Sequence, residues 1–231
     1  MSAWDSFKHR LKVRYRQWTG QDLHYRPTYR GPVARLGTDY GGWWVCPDLL
    51  GPDSIIYSIG VGTDVSFDLA LIEAFGCAVH AFDPTPRSMA WVERQRLPAG
   101  FHFHPWGVAA ASGHIELAAP AHPDHASFSI ARSSGPTVRV PVLTVGDMMT
   151  RLGHQHLDVL KMDVEGMEYE VIAQLLAAQT PVRQLLVEFH HNIYPTVPMQ
   201  RTQDAIAALL AAGYQLFKVS ATNNEYHFVR R

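Results

Sequence analysis

The sequence predicts a doubly wound α/β domain built around a mostly parallel sheet, and three observations predict it. From residue 55 onward, short apolar runs alternate with stretches of helical period. Several of those runs end in glycine or an acidic residue, at the carboxyl ends of strands where open sheets of this kind bind ligands. The last two runs are separated only by 220–225, too short for a parallel crossover, so the chain has to close in an antiparallel hairpin.

Composition sets the frame for that reading. The 231 residues are 47% apolar and 18% charged, enough for one α/β domain with a large core and not for two. A net charge of −1 offers no whole-molecule attraction to nucleic acid or membrane, and no nucleic-acid partner is expected. The charge is unevenly placed, though. Residues 1–30 carry seven basic side chains against Asp5 and Asp22, a local balance of about +5 against about −6 for the rest.

Within that basic stretch Trp4, Phe7, Leu11, Tyr15 and Trp18 recur at three- and four-residue steps, which predicts an amphipathic helix over 3–18. Such a helix can lie on an anionic surface or guide an anionic substrate. The plainer expectation is that its aromatic stripe packs on the main domain. The chain thus divides into a basic amphipathic extension, 1–39, and one α/β domain, 40–231. No apolar run approaches 18 residues and no signal-peptide core is visible, so a soluble, cytoplasmic protein without a transmembrane segment is expected. Cys46 and Cys77 make neither a disulfide framework nor a thiolate metal site, and read as two reduced thiols.

The elements follow in order. Residues 19–52, rich in Gly, Pro and Tyr, read as an irregular approach. Ile55–Ile59 is a strand ending in Gly60-Val61-Gly62, and Asp64 is placed to cap a helix that stops at Gly76. Ala78–Phe82 is a second strand ending at Asp83-Pro84, 86–96 a helix, and Phe101–His104 a third strand. Strand-like pieces at 114–117, 127–130 and 138–142 precede a helix at Val145–Leu152, with 118–136 expected to be a surface insertion. Leu157–Met162 is a strand ending at Asp163, followed by a helix that buries Met167, Val171, Ile172, Leu175 and Leu176. A strand at 184–187 ends at Glu188, a helix spans 200–212, and 214–219 and 226–229 form the closing hairpin.

The glycine turn after the first of these strands lets backbone approach a ligand closely. About twenty residues on, Asp83 stands where a carboxylate accepts both hydroxyls of a ribose. A dinucleotide fingerprint demands a third glycine at the position held by Val65. A nucleoside with a sulfonium and no phosphate is free of that demand, which favours S-adenosylmethionine over a nicotinamide dinucleotide.

Three blocks make the resemblance specific: Tyr57-Ser58-Ile59-Gly60-Val61-Gly62-Thr63-Asp64-Val65-Ser66-Phe67-Asp68, Ala81-Phe82-Asp83-Pro84-Thr85-Pro86, and Leu160-Lys161-Met162-Asp163-Val164-Glu165-Gly166-Met167-Glu168. With Val187-Glu188-Phe189, they resemble the FkbM family of methyltransferases over roughly residues 40–230. The resemblance implies a Rossmann-like class I methyltransferase fold with a seven-stranded sheet whose last strand is antiparallel. It implies that Gly60 and Gly62 back the methionine part of the cofactor with Ser66 near its carboxylate. Asp83 beside Pro84 would hold the ribose, and Pro105, Trp106, Gly107 and Val108 would border the adenine; a packed core aromatic is the alternative for Trp106. Asp163 would close the cofactor site.

Methyl transfer to a hydroxyl needs alignment and a base, a metal, or both. Glu165 is the expected general base, with Asp163 orienting the acceptor or holding a divalent ion; capping and charging a helix start is the plainer role for Glu165 and Glu168. Glu188 and His190 are expected to complete a partial metal site with Asp163, the carboxylates suiting magnesium or calcium and the imidazole a transition metal. The arrangement is similar to metal-assisted O-methyltransferases, although the family resemblance does not itself require a metal. Asn192 and Tyr194 lie just beyond and are candidates for acceptor contact. The acceptor is expected to be a hydroxyl on a sugar, glycan or natural-product scaffold. Two other readings use the same residues: an NAD-dependent oxidoreductase, which here lacks an evident proton relay, and a non-catalytic nucleoside-binding module.

Overall fold

The computed structural model describes residues 3–118, 137–191, 193 and 197–231, with residues 3–10 and 118 given by backbone alone. The expected 118–136 insertion, the 127–130 strand, and Asn192 and Tyr194 lie outside the described residues, or all but outside them. The chain opens with α1 (Ala3–Trp18), a short antiparallel hairpin of β1 (Ala34–Leu36) and β2 (Trp43–Val45), and a single 3-10 turn at Pro47–Leu49. Alternation then follows: β3 (Ile55–Ile59), α2 (Ser66–Phe75), β4 (Ala78–Phe82), α3 (Pro86–Val92), β5 (Phe101–His104).

A small three-stranded sheet comes next, of β6 (Gly107–Val108), β7 (Gly113–Ala118) and β8 (Thr137–Leu143). The chain returns to the main sheet through α4 (Val145–Leu152), β9 (Leu157–Met162), α5 (Glu168–Ala177), β10 (Val182–Glu188), α6 (Met199–Ala211), β11 (Gln215–Val219) and β12 (Glu225–Val229).

Seven strands form the main sheet in the order β11-β12-β10-β9-β3-β4-β5. The β10-β9-β3-β4-β5 pairs are parallel, and β12 runs antiparallel to both β10 and β11. This is a Rossmann-like topology: a doubly wound sheet with its final strand inserted against the grain. Central strands of parallel sheets are covered on both faces, and every residue of β9 is buried.

Alternation along the strands divides the core into two layers. Tyr57, Ile59, Leu160, Leu185, Tyr226 and Phe228 face α4, α5 and α6. Their neighbours Ile56, Val159, Leu186 and Val229 face α2 and the β1–β2 hairpin. The helices end where the sequence permits. Gly76 and Gly153 take left-handed conformations behind α2 and α4, and the Thr144 hydroxyl accepts the Asp147 amide at the start of α4. Asp64 acts one residue off its expected place: it accepts the Ser66 amide at 2.8 Å, while Val65 occupies the cap position.

Two further departures concern the first 52 residues. Residues 19–52 are not wholly irregular, because β1 and β2 pair as three-residue strands too short to leave a periodic signal. The aromatic stripe of α1 does not pack on the domain where it is described: Leu11, Tyr15 and Trp18 are 50%, 61% and 84% exposed. Trp4 and Phe7 lie among side chains that are not described. Among the described residues no helix is long and apolar enough to cross a membrane.

One core residue makes the fold acid-sensitive. His227 on β12 is fully buried between Trp43 and Phe217, and only its Nδ1 finds a partner, the Lys218 carbonyl at 3.3 Å. Burial, chiefly, pushes its pKa down to about 3. The folded state therefore resists a proton that the unfolded chain accepts near pH 6.5, so the stability is present above that pH and is lost as pH falls toward 3. The slope is about 1.4 kcal/mol per pH unit. Urea titrations of the parent and of His227→Phe at pH 6.5 and pH 5 are expected to show about 2 kcal/mol more acid loss in the parent. Equal losses would remove His227 from the account.

Candidate active site at the carboxyl ends of the strands

The site is organised by a close approach of two strand ends. Gly60 and Gly62 take φ of 75° and 56° after β3, a region that favours glycine. A Cβ on Gly60 would lie 1.8 Å from the Asp163 carbonyl oxygen, so the turn after β3 presses directly against the end of β9. A Cβ on Gly62 would meet nothing within 4 Å. The Gly62 amide donates to Asp83 Oδ2 at 2.9 Å, and Asp83 Oδ1 accepts the Thr85 amide and hydroxyl at 2.9 and 2.6 Å. Asp83, 5% exposed, thus ties the glycine turn to the end of β4. Both lone pairs of Oδ1 are taken by Thr85, while Oδ2 keeps a second lone pair for a ligand hydroxyl.

A cavity of about 880 Å³ opens beside this staple. Of the residues the sequence singled out, Gly60, Gly62, Asp83, Pro84, Gly107 and Val108 line its cofactor-like side, and Asp163, Glu165 and Glu188 line its acidic floor. Ser66, Pro105, Trp106 and His190 do not line it. The Ser66 hydroxyl accepts the Thr38 amide at 3.0 Å, fastening the 38–41 turn to the start of α2. Trp106 takes the packing alternative: it stacks on His104 with centroids 5.0 Å apart, under the Arg151 guanidinium.

His190 sits just behind the floor. It is 2% exposed, and its Nε2 lies 3.7 Å from Asp163 Oδ1 and 3.5 Å from Glu165 Oε2. Its other nitrogen is held by Glu168 Oε1 at 2.7 Å. Glu168, fully buried, also accepts the amides of His190 (3.2 Å) and Gly166 (2.8 Å). Glu165 is a left-handed non-glycine residue at φ 53°, followed by Gly166 at φ 103°. Asp163, Glu165 and His190 place ligand-capable atoms within 4.8 Å of one another. Glu188, which the sequence reading grouped with Asp163 and His190, is not in this cluster. Glu188 instead stands opposite Glu225 in the antiparallel β10–β12 register.

Burial concentrates proton affinity here. It pushes Glu188 up to about 8, with the Asp163 charge adding to the effect. Burial likewise raises Asp163 and Glu225, against the pull of nearby cations. For His190 burial opposes the proton, but the Glu168 hydrogen bond and the surrounding carboxylates outweigh it and lift the group to about 9.

Two features escaped the sequence reading. Lys161 is 6% exposed, and its Nζ donates to the carbonyls of Ile59 (3.2 Å) and Gly60 (2.8 Å), locking the glycine turn and placing a cation among the acids. A lysine within the strand run Leu157–Met162, one residue before the strand-end Met162-Asp163 pair, was the available signal. The second is the far wall of the cavity, where the β1–β2 hairpin supplies Arg35, Trp43 and Trp44 and the closing hairpin supplies Lys218 and Glu225. Lys218 Nζ rests 3.9 Å from the centre of the Trp44 ring. These residues are distant in sequence, and no local pattern joins them.

Comparison with known proteins adds the following. A family model described as Methyltransferase FkbM domain matches residues 55–216. Probable methyltransferase-like protein 24 of Rattus norvegicus is 28% identical over 138 residues, covering 58% of this chain and 32% of that protein, and its Homo sapiens counterpart matches with the same figures. The chain spans about a third of the length of the curated relatives it matches. Among solved structures, Methanococcus jannaschii fibrillarin pre-rRNA processing protein aligns with a TM-score of 0.47 at 11% identity, over 78% of this chain and 67% of that one. Aeropyrum pernix fibrillarin in complex with natively bound S-adenosyl-L-methionine gives 0.44 at 14%, over 78% and 66%.

Proposed function

This chain belongs to the FkbM methyltransferase family, and from that premise we propose that it transfers a methyl group from S-adenosylmethionine to a hydroxyl oxygen. The observation that carries the proposal is the contact between the glycine turn and the Asp163 backbone, inside one cavity that continues to a floor of carboxylates. A sulfonium cofactor backed by Gly60 and Gly62, with its ribose on Asp83, would direct its methyl group toward that floor.

The reaction asks little covalent chemistry of the protein. The acceptor oxygen displaces the thioether from the methyl carbon, the sulfonium becomes neutral, and the hydroxyl proton leaves to a base. Glu165 is that base in this proposal, with Asp163 orienting the acceptor. His190, carrying a proton held by Glu168, balances the negative charge beside them. The far wall suits a polyhydroxylated acceptor such as a sugar, glycan or oxygenated natural product: Trp44 offers a flat apolar face, while Arg35, Lys218 and Glu225 offer hydrogen bonds of both senses.

As an alternative to that charge-balancing role, once its Nε2 proton is lost His190 could join Asp163 and Glu165 in holding a divalent cation, because the Glu168 bond orients its Nε2 toward the two acids as a metal-binding imidazole is oriented. Such an ion would supply a Lewis acid that lowers the acceptor hydroxyl's pKa.

Thermal-shift titration with S-adenosylhomocysteine and with NADH tests the reading. S-Adenosylhomocysteine is expected to stabilise the protein, and labelled S-adenosylmethionine with a panel of polyols is expected to label a product. Stabilisation by NADH alone would overturn the methyltransferase reading. Activity unchanged by chelation would remove the metal.

A further inference from the structure

Where its side chains are described, α1 turns the apolar residues Leu11, Tyr15 and Trp18 outward. It is fastened to the domain through Val13, 9% exposed, through the Gln17 amide donating to the Leu23 carbonyl at 2.9 Å, and through Arg16, 4.0 Å from the buried Asp22. At about 100° per residue, Leu11, Tyr15 and Trp18 fall within about 60° of one another, roughly opposite Val13. They are among the few large apolar side chains left exposed among the described residues, and Tyr15 and Trp18 lie side by side with ring centres 6.4 Å apart. The exposed Lys12 and Arg14 flank this stripe on either side.

We propose that α1 seats this protein on an anionic lipid surface, lying in the plane of the interface with Leu11, Tyr15 and Trp18 inserted and Lys12 and Arg14 meeting the headgroups. The chemistry is that of interfacial helices: an aromatic and aliphatic strip enters the headgroup–acyl boundary while basic residues at its margins reach acidic headgroups. Because the opposite face already holds the domain, the helix can insert without leaving its place in the fold. A second copy of the chain is the disfavoured occupant. Pairing two such helices would bring together two segments that each carry seven basic residues against two acidic ones over residues 1–30.

Co-sedimentation of the full chain with phosphatidylcholine vesicles, with and without phosphatidylserine, tests this. Binding is expected to require phosphatidylserine and to weaken with salt. The triple variant Leu11→Ser, Tyr15→Ser, Trp18→Ser is expected to weaken it by at least about tenfold with an unchanged melting temperature, since all three side chains are exposed. The charge variant Lys12→Glu, Arg14→Glu, likewise on exposed positions, is expected to weaken it comparably. Absence of vesicle binding, undiminished binding by the triple variant, or a concentration-dependent dimer abolished by that variant in place of lipid binding would overturn the proposal.

Discussion

Replacing Gly60 with alanine is expected to destabilise the protein by at least about 3 kcal/mol and to abolish binding of S-adenosylhomocysteine. The new methyl would lie 1.8 Å from the Asp163 carbonyl oxygen, and that neighbour is backbone, which cannot swing aside as a long side chain would. The turn would have to retreat from β9. It would then lose the bond from the Gly60 amide to the Phe82 carbonyl (2.9 Å) and the bond from Lys161 to the Gly60 carbonyl. A φ of 75° adds the ordinary cost of a β-carbon in the left-handed region, about 1–2 kcal/mol. For a chain of this length the melting temperature should fall by roughly 6–12 °C. Gly62→Ala is the control, since its β-carbon has open space and only the left-handed cost of about 1 kcal/mol applies. Chemical denaturation and ligand titration of the pair check the expectation. A Gly60→Ala protein as stable as the parent and still binding would mean that the two strand ends are not in contact.

The second large effect belongs to Glu165. Substituting glutamine keeps the shape and the hydrogen-bonding reach but removes the proton acceptor, so turnover is expected to fall about 10²- to 10⁴-fold. Affinity for S-adenosylhomocysteine should change only a few-fold, because the glycine turn and Asp83 are untouched. Single-turnover transfer from labelled cofactor, beside a binding isotherm, separates the two quantities. Full turnover in Glu165→Gln would move the base elsewhere on the floor. Glu188, whose burial holds its proton up to about 8, would then be the next carboxylate to replace.

Much of the architecture was legible because its signals are local. The strand-like runs at Ile55–Ile59 and Leu157–Met162, the glycine stops, and the short final connection each follow from periodicity and turn chemistry within a few residues. The chemistry-bearing residues at strand ends were legible for the same reason, since in a parallel sheet the end of each strand has a known relation to its neighbours. Partnerships were harder. That His190 lies within reach of Glu165 depends on the left-handed backbone at Glu165 and on the Glu168 side chain behind it. Register alone would have favoured Glu188. Trp106 illustrates the same limit: its position after β5 was readable, but whether it faced the cavity or His104 depended on side-chain packing.

From the amino-acid order alone came the winding of the sheet, the hairpin at its end, and the set of glycines and carboxylates that meet at its carboxyl edge. Each is written in spacings that the backbone must obey. Only the folded chain decided which acids share an imidazole, that Lys161 clamps the glycine turn, and that Leu11, Tyr15 and Trp18 of α1 face outward. Helical periodicity establishes that an apolar stripe exists. What covers it is settled by contacts between residues remote in sequence.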